Sequence, residues 1–366
     1  MCKQVIIVHD VDGRIYFDAV KKLFDDERIS SLTYRETSIF RKTVVSILKK
    51  REPKLWFKRI IPNLIFRLSV PFIKNKTIIL GMAPYNIRFL WYGLLAKRNH
   101  VIYHTSWPYW WTENVPCIYP FGNSFVRMIY KFYLSKFNFS VVGVTPPTVE
   151  SFSKDISNKE VHHIPHAVNL DIFTTKGKTE NHCSVRKENK NVLFIGRVVK
   201  EKGIYDFAEL VSIAENNYNF TIVGDGPELN NIKKMLSTKN NVQFLGFISD
   251  KNKIADILSN NNFLIVPSRK TNGWEELFGL VIIEAMAAGL VVIATDHVGP
   301  RGIIQNNIDG ILLPECDNLS DCLYEVIDNI DYEQYNKISQ NALLSVKKYS
   351  IEHVMSKWDM VISNGE

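Results

Sequence analysis

Nine short apolar runs, each closed by glycine, proline or a polar residue, leave this chain few choices of fold. The first four are "QVIIVHD" at Gln4, "KTIILGMAP" at Lys76, "HVIYHTS" at His100 and "FSVVGVTP" at Phe139. Five more follow: "KNVLFIGR" at Lys190, "YNFTIVGDG" at Tyr218, "NVQFLGF" at Asn241, "NFLIVPS" at Asn262 and "GLVVIATD" at Gly289. Runs this short, with helix-length segments or loops between them, read as strands of a parallel sheet buried on both faces. The two series are separated by "TTKGKTENHCSVRKENK", residues 174–190, which is polar and has no hydrophobic period. That segment reads as a linker. With 366 residues the chain is too long for one ordinary core. The expected fold class is therefore α/β: two Rossmann-like, doubly wound domains facing across a cleft. They span 1–173 and 191–345, with a closing segment 346–366. Sheets of this kind bind ligands at the carboxyl ends of their strands, which puts the expected active site between the lobes.

Composition excludes several classes. Apolar residues make up 46% and charged residues 23%, an ordinary globular balance that rules out a disordered chain. The five cysteines, Cys2, Cys117, Cys183, Cys316 and Cys322, are scattered and contain no C-x-x-C pair, which argues for a reducing compartment and against a disulfide or zinc framework. Met-Cys-Lys-Gln leads straight into "VIIVHD" without a charged leader, so a cytoplasmic location is expected. Arg67 and two prolines break "IIPNLIFRLSVPFI", and no other window approaches the length of a spanning helix.

The ends of the second-series strands carry "GRVVKEKG", "GDGPE", "GFIS", "PSRKTNGWEELFG" and "TDHVGPRG". Gly196 lets backbone approach a ligand, and Arg197 and Lys202 set two cations beside it, an environment that suits a diphosphate. A solvated turn with a charge cluster is the plainer reading. "ELFGLVIIEAMAAG" opens a helix near Phe278, where Gly279 frees the first turn and outward amides favour phosphate. Glu276 stands just before that helix, within reach of a sugar hydroxyl. Glu284 lies two turns in, on an otherwise apolar stretch, where a carboxylate needs a hydrogen-bonding partner such as a ribose diol or an unseen Lys.

Together these pieces resemble the retaining GT-B glycosyltransferases that include sucrose synthases, mannosyltransferases and bacterial surface-polysaccharide enzymes, often called family 4. The resemblance rests on Glu276 and Glu284 separated by seven residues around a Phe-Gly step, on "GRVVKEKG", on "VGDGP" at Val223 and on "FLGF" at Phe244. It covers about Lys190 to Pro314 and thins outside that stretch. "VHHIPHAVNLDIF" at Val161 resembles the segment before the family's linker, with His166 and Ala167 replacing Asn-Gly. His104 stands where relatives carry a histidine near the donor sugar, although a polar strand-end histidine would look the same. "YSIEHVMSKWDMVI" resembles the final helix that crosses back to the first lobe, anchored by Trp358.

The resemblance implies transfer of a glycosyl group from a UDP- or GDP-linked sugar with retained anomeric configuration, in bacterial capsule, O-antigen or lipopolysaccharide assembly. Arg197 and Lys202 would hold the diphosphate with the amides of Phe278, Gly279 and Leu280. Gly196, Gly224, Gly226, Phe247 and Ile248 would line the donor site, and Glu284 would take the ribose hydroxyls. Glu276 would orient the sugar and stabilise positive charge at the anomeric carbon, with His104 beside it. No cofactor and no metal are expected. Asp10 and Asp12 spell D-x-D, but they end the first strand of the first domain, so a loop or acceptor role is the expectation. An epimerase-type GT-B enzyme and a silent nucleotide-binding subunit are the rival readings. A nicotinamide enzyme is disfavoured because Leu229 occupies the third glycine position after "GDG".

The positive charge is one patch. From Arg41 to Lys76 eleven Lys or Arg face one acid, Glu52, a local net of +10 against +7 for the whole chain. These cations interleave with Trp56, Phe57, Ile60, Ile61, Leu64, Ile65, Phe66 and Leu68, as on interfacial helices that rest on anionic lipid. A core-facing helix pair with solvated cations would give the same pattern. Nothing else in the chain reads bases, so nucleic acid is not an expected partner. The expectation is peripheral attachment to the inner face of the plasma membrane and a saccharide or lipid-linked saccharide acceptor. "HTSWPYWWTEN" sets Trp107 and Tyr109 beside His104, either as an acceptor platform or as core. His166 is placed with them, facing the cleft.

Overall fold

The computed structural model describes residues 3–10, 13–37, 53–110, 112, 123–137, 139–154, 156, 159–174, 190–215 and 217–364, with the side chains of 53–59 not described. The chain divides into two compact units, Met1–Ala167 with Ile351–Glu366, and Val168–Ser350. Residues 168–173 and 346–350 pack with the second unit: Val168 donates to the Tyr349 carbonyl at 2.8 Å and bridges Ser350. The expected linker lies outside the described residues except for its ends, Thr174 and Lys190.

The first unit is built on β1 (Lys3–His9), β2 (Ile29–Glu36), β3 (Thr77–Gly81), β4 (His100–Thr105), β5 (Phe139–Gly143) and β6 (Val161–His163). They form one parallel sheet in the order β2-β1-β3-β4-β5-β6. Every residue of β3 is buried, as expected for a strand covered by helices on both faces. The C-terminal helix Ile351–Ser363 belongs to this unit. Its Val354, Trp358, Val361 and Ile362 join Val5, Ile7, Phe17, Val20 and Leu23 in one core. Lys3 Nζ donates to the Ile362 carbonyl at 2.7 Å, and Arg28 pairs with Asp359 at 2.6 Å. Trp358 anchors the helix, stacking edge-on to Phe17 at 5.7 Å.

The second unit repeats the plan with β7 (Lys190–Ile195), β8 (Tyr218–Val223), β9 (Val242–Gly246), β10 (Phe263–Val266), β11 (Val291–Thr295) and β12 (Ile311–Leu313). The order is β12-β11-β10-β7-β8-β9, again all parallel. The strand order reverses at β7, beside which β10 and β8 lie. Its loop and theirs therefore converge at the carboxyl edge, where an open α/β sheet offers a crevice. The helix Leu280–Ala287 follows β10 with Ile282, Ile283, Ala285 and Met286 buried.

Candidate active site

Glycine fixes how closely the second unit's loops approach one another. Gly203 has φ +66°, and a Cβ there would lie 1.7 Å from the Pro267 carbonyl oxygen. Only glycine fits, and it ends the short 3₁₀ turn Lys200–Lys202 against the loop after β10. Gly224 has φ +141°, and a Cβ on it would meet the Gly196 carbonyl oxygen at 1.8 Å. Gly226 is similarly confined by Val198, whose carbonyl oxygen a Cβ would approach to 2.3 Å. The glycines of "GDG" thus seat the β8 loop on the β7 loop, a packing reason that requires no ligand. Gly196 is different: a Cβ would touch only the Phe194 ring, at 3.7 Å, so its outer side is open to a bound group.

The seating of Gly203 brings Lys202 to Glu276. The ammonium pairs with Glu276 Oε2 and sits 5.4 Å from the centre of the Trp274 ring. Ser268 Oγ donates to the same carboxylate oxygen at 3.4 Å. Glu276 is buried, and its backbone is held from both sides. Its N–H donates to His297 Nδ1 at 3.3 Å, and its carbonyl accepts from Gly299 N–H at 2.9 Å. A carboxylate removed from water needs such partners. Arg197 is exposed one residue after Gly196.

The loop that carries Glu276 is tied down at its base as well. Arg269 Nε donates to Asp206 Oδ2 at 3.0 Å, its Nη2 pairs with Asp206 Oδ1, and its Nη1 donates to the Cys316 carbonyl at 2.6 Å. The Asp206 carboxylate raises the pKa of the guanidinium against its burial, so Arg269 stays charged. Lys270 N–H donates to Glu315 Oε2 at 3.0 Å, the oxygen that also lies 3.0 Å from His297 Nε2. Lys270 Nζ reaches Glu275 Oε2 at 3.3 Å.

Gly279 adopts a left-handed conformation, φ +85°, and starts the Leu280–Ala287 helix without a side-chain cap. Phe278 before it is buried against Tyr349 at 6.1 Å. Glu284 is half-buried at the fifth residue of that helix. At the end of β9, Gly246 has φ +68°, Phe247 is 75% exposed and Ile248 is half-buried.

In the first unit the strand ends gather imidazoles. His104 at the end of β4 is buried, 4.9 Å from Phe17, 5.6 Å from His166 and 6.5 Å from His9, measured between ring centres. His166 packs on Tyr16 at 4.8 Å. Burial, then the neighbouring His166 and His9, pushes the His104 pKa well below the usual histidine range. Burial and His9 push His166 down to about 3. Both rings are neutral, able to donate one hydrogen bond and accept another.

Asp10 is taken up by the fold. Its Oδ1 accepts from the Thr37 hydroxyl and its Oδ2 from Ala83 N–H at 2.9 Å, linking the chain beyond β1, β2 and β3. Asp12 lies outside the described residues. Among the described residues no group of three or more His, Cys, Asp or Glu could hold a metal ion. Trp107 is buried, its backbone N–H donating to Thr105 Oγ1 at 3.1 Å, and Tyr109 is half-buried 5.7 Å away. Trp110 is core, packed on Tyr85, Tyr103 and Phe152.

Residues 178–344 match the family model of glycosyl transferases group 1. This stretch belongs to that family. The matched stretch contains Gly196, Arg197, Lys202, Glu276, Glu284, His297 and Glu315. The chain is 31% identical over 163 residues to an uncharacterized 41.2 kDa protein in the cps region of Klebsiella pneumoniae, covering 43% of this chain and 42% of that protein. It is 30% identical over 194 residues to the Escherichia coli UDP-Gal:alpha-D-GlcNAc-diphosphoundecaprenol alpha-1,3-galactosyltransferase, covering 50% and 49% of the two chains. The chain thus spans half or less of the length of these relatives. In three dimensions it resembles Anabaena HepE, solved with UDP and glucose, at a TM-score of 0.71 and 14% identity over 99% of this chain and 100% of that one. That likeness speaks for the fold alone, which is GT-B.

His297, Glu315, Ser268 and Trp274 were not singled out in the sequence. The signal available for them was weak: His297 stands in "TDHVGP" as a lone histidine after a strand, and Glu315 as a single acid after a three-residue strand.

Proposed function

We propose that this chain is a retaining, metal-independent glycosyltransferase that moves a sugar from a nucleotide-diphospho-sugar to a saccharide or lipid-linked saccharide acceptor in bacterial surface polysaccharide assembly. The observation that carries the reading is the Lys202–Glu276 pair in the group 1 domain, at the edge where the β7 and β10 loops meet. Such a pair is poised for a diphosphate. A phosphate oxygen arriving at Lys202 competes for the ammonium, and Glu276 is then free to accept from sugar hydroxyls and face the charge that grows at the anomeric carbon. Arg197, exposed beside the open side of Gly196, adds a second cation, and the outward amides at the Leu280–Ala287 helix start add donors. Two cations and amides offset leaving-group charge without requiring a divalent ion. Glu284 accepts from ribose hydroxyls, and Phe247 offers an aromatic face to the base. The neutral His104 and His166, with Trp107 and Tyr109, offer polar and aromatic contacts for sugar.

A relative named for a GlcNAc-diphosphoundecaprenol substrate supports the lipid-linked acceptor. So does the surface of the first unit. The helix Pro53–Ser69 and the turn after it expose Ile61, Leu64, Ile65, Leu68 and Phe72, the last two by 68% and 77%. The helix Phe89–Tyr92 continues the strip with exposed Trp91, whose Nε1 donates to the Arg67 carbonyl at 2.9 Å. Phe89 in turn stacks on Tyr130 of the helix Ser124–Lys136, which exposes Phe125, Met128 and Phe132 beside three cations and no acid. An apolar strip flanked by positive charge suits an anionic bilayer. No helix among the described residues is long and apolar enough to cross one.

The test is a donor screen: purified chain with UDP- and GDP-sugars and polyprenyl-diphosphate-linked saccharides, with EDTA or manganese, reading nucleotide release and product anomer. Release with one donor, unaffected by EDTA and giving the donor's anomer, is expected. Manganese dependence or an inverted product overturns those parts of the reading; no release and no nucleotide binding overturns it whole.

A further inference from the structure

Glu276 sits on the segment that joins β10 to the Leu280–Ala287 helix, and the two ends of its loop are held by one carboxylate. Glu315, just beyond β12, accepts from Lys270 N–H at 3.0 Å through Oε2. The same oxygen lies 3.0 Å from His297 Nε2. His297, just beyond β11, is 4% exposed, and its Nδ1 faces Glu276 N–H at 3.3 Å. The amide can only donate, so Nδ1 accepts. The ring proton is therefore on Nε2 and is donated to Glu315, which fixes a single neutral tautomer. The chain carboxylate, imidazole, amide thus runs from the surface to the backbone of the acid that the functional reading places at the sugar.

We infer that His297 and Glu315 are a positioning pair: they clamp the 270–276 loop at both ends and set the depth at which Glu276 presents its carboxylate. The inference rests on the reading of Glu276 as the group that faces the anomeric carbon. Their contacts are to Lys270 N–H and Glu276 N–H, so the role assigned to them is placement. The pair works through geometry alone, and geometry is where a catalytic acid is vulnerable, since a shift of about 1 Å in a reacting group can cost about 100-fold in rate. Among the described residues the other contacts do not duplicate the clamp: the Lys270–Glu275 ion pair at 3.3 Å and the Thr271–Trp274 backbone pair tie the loop only to itself. Gly299 holds only the Glu276 carbonyl, Lys202 and Ser268 hold only its side chain, and Arg269 secures the loop one residue before Lys270. Glu315 is kept ionised: burial raises its pKa, but the Lys270 amide, His297 and Arg269 outweigh burial and hold it below the usual carboxylate range.

The experiment uses the full chain and two readouts on His297→Ala, Glu315→Ala, Glu315→Gln and the His297→Ala/Glu315→Ala double. The first is hydrogen exchange of peptides covering 268–279 without nucleotide. The second is kcat and KM for the donor that the screen identifies. The expected result is faster exchange across 268–279 in both alanine variants. With it, kcat falls by about tenfold or more while the donor KM stays within about threefold, because the lost contact acts on placement and not on nucleotide binding. Glu315→Gln keeps an acceptor oxygen and recovers most of what Glu315→Ala loses. The double loses less than the sum of the two singles, because the His297–Glu315 contact is removed by either one. Should His297→Ala fail to fold, Glu315→Ala at the surface end carries the same test. Unchanged exchange, a loss shared equally by KM, or unchanged kcat despite a loosened loop overturns the inference. If the wild-type chain turns over no donor, the functional reading falls while exchange still judges the clamp: protection lost in His297→Ala upholds it and protection kept overturns it.

Discussion

Removing Lys202 tests whether the pair at the site is as tightly coupled as its geometry says. In Lys202→Met the apolar stem is retained over Trp274 while the ammonium is lost. Among the described residues, Glu276, whose side chain is 10% exposed, then keeps only the 3.4 Å contact from Ser268 for its carboxylate. Stripping one partner from a fully buried pair costs about 3–5 kcal/mol, chiefly through the stranded charge. Lys202 is 22% exposed, so water reaches one side of this pair and the expected loss is smaller. We place it at about 2 kcal/mol, a lowering of the melting temperature of about 4–8 °C for a unit of this size. Glu276→Gln in the same background removes the stranded charge, so the double variant recovers most of the loss, with a coupling energy of about 1–2 kcal/mol. Calorimetry on the four proteins at neutral pH, without nucleotide, reads both quantities. A Lys202→Met melting temperature within about 1 °C of wild type, or a double variant equal to the sum of the singles, would refute the coupling.

The buried histidines predict acid lability. Because His104 lies well below its usual pKa of 6.5 and His166 is pushed down to about 3, the unfolded chain takes up protons first as pH falls. Stability is full above the unfolded value and is lost progressively below it, by up to about 2 kcal/mol per histidine between pH 6.5 and 5. Urea unfolding across that range should show the slope, flattened in His166→Asn; an unchanged slope contradicts the neutral cluster. Gly224→Ala should unseat the β8 loop, since both φ +141° and a 1.8 Å approach to the Gly196 carbonyl forbid a Cβ. The expected cost is about 3 kcal/mol or more in thermal unfolding, and a wild-type melting curve would show that the loops do not touch as described. Leu68→Asp and Phe72→Asp should weaken co-sedimentation with anionic vesicles while leaving nucleotide binding intact; undiminished sedimentation removes the apolar strip from the membrane reading.

Both α/β units were legible because their central strands are apolar on both faces. The strands that escaped notice lie at sheet edges or are short. β2, "ISSLTYRE", mixes polar residues through an edge strand of which only Ile29 is buried, while β6 and β12 have three residues each. At the site, Glu276, Lys202 and Arg197 stood out because charge at a strand end is chemically conspicuous. His297 and Glu315 did not, since their meeting depends on β11 lying beside β12, with Ile293 opposite Ile311, which no local pattern announces. Asp10 shows the same limit, because its partners Thr37 and Ala83 are distant in sequence. Gly224 and Gly226 are expected in the donor site, and neighbouring carbonyl oxygens add a packing requirement for glycine that no local pattern shows.

The central claim is that Glu276 acts on the sugar while the cations and amides hold the nucleotide, and Glu276→Gln tests it most directly. Nucleotide affinity by calorimetric titration and donor turnover should be measured on the same preparations of wild type and variant. The account predicts affinity within a few-fold of wild type and turnover lower by about 100-fold or more, the scale of losing one preorganised charge at a reacting centre. Turnover that survives the substitution, or affinity and turnover that fall together, would contradict it.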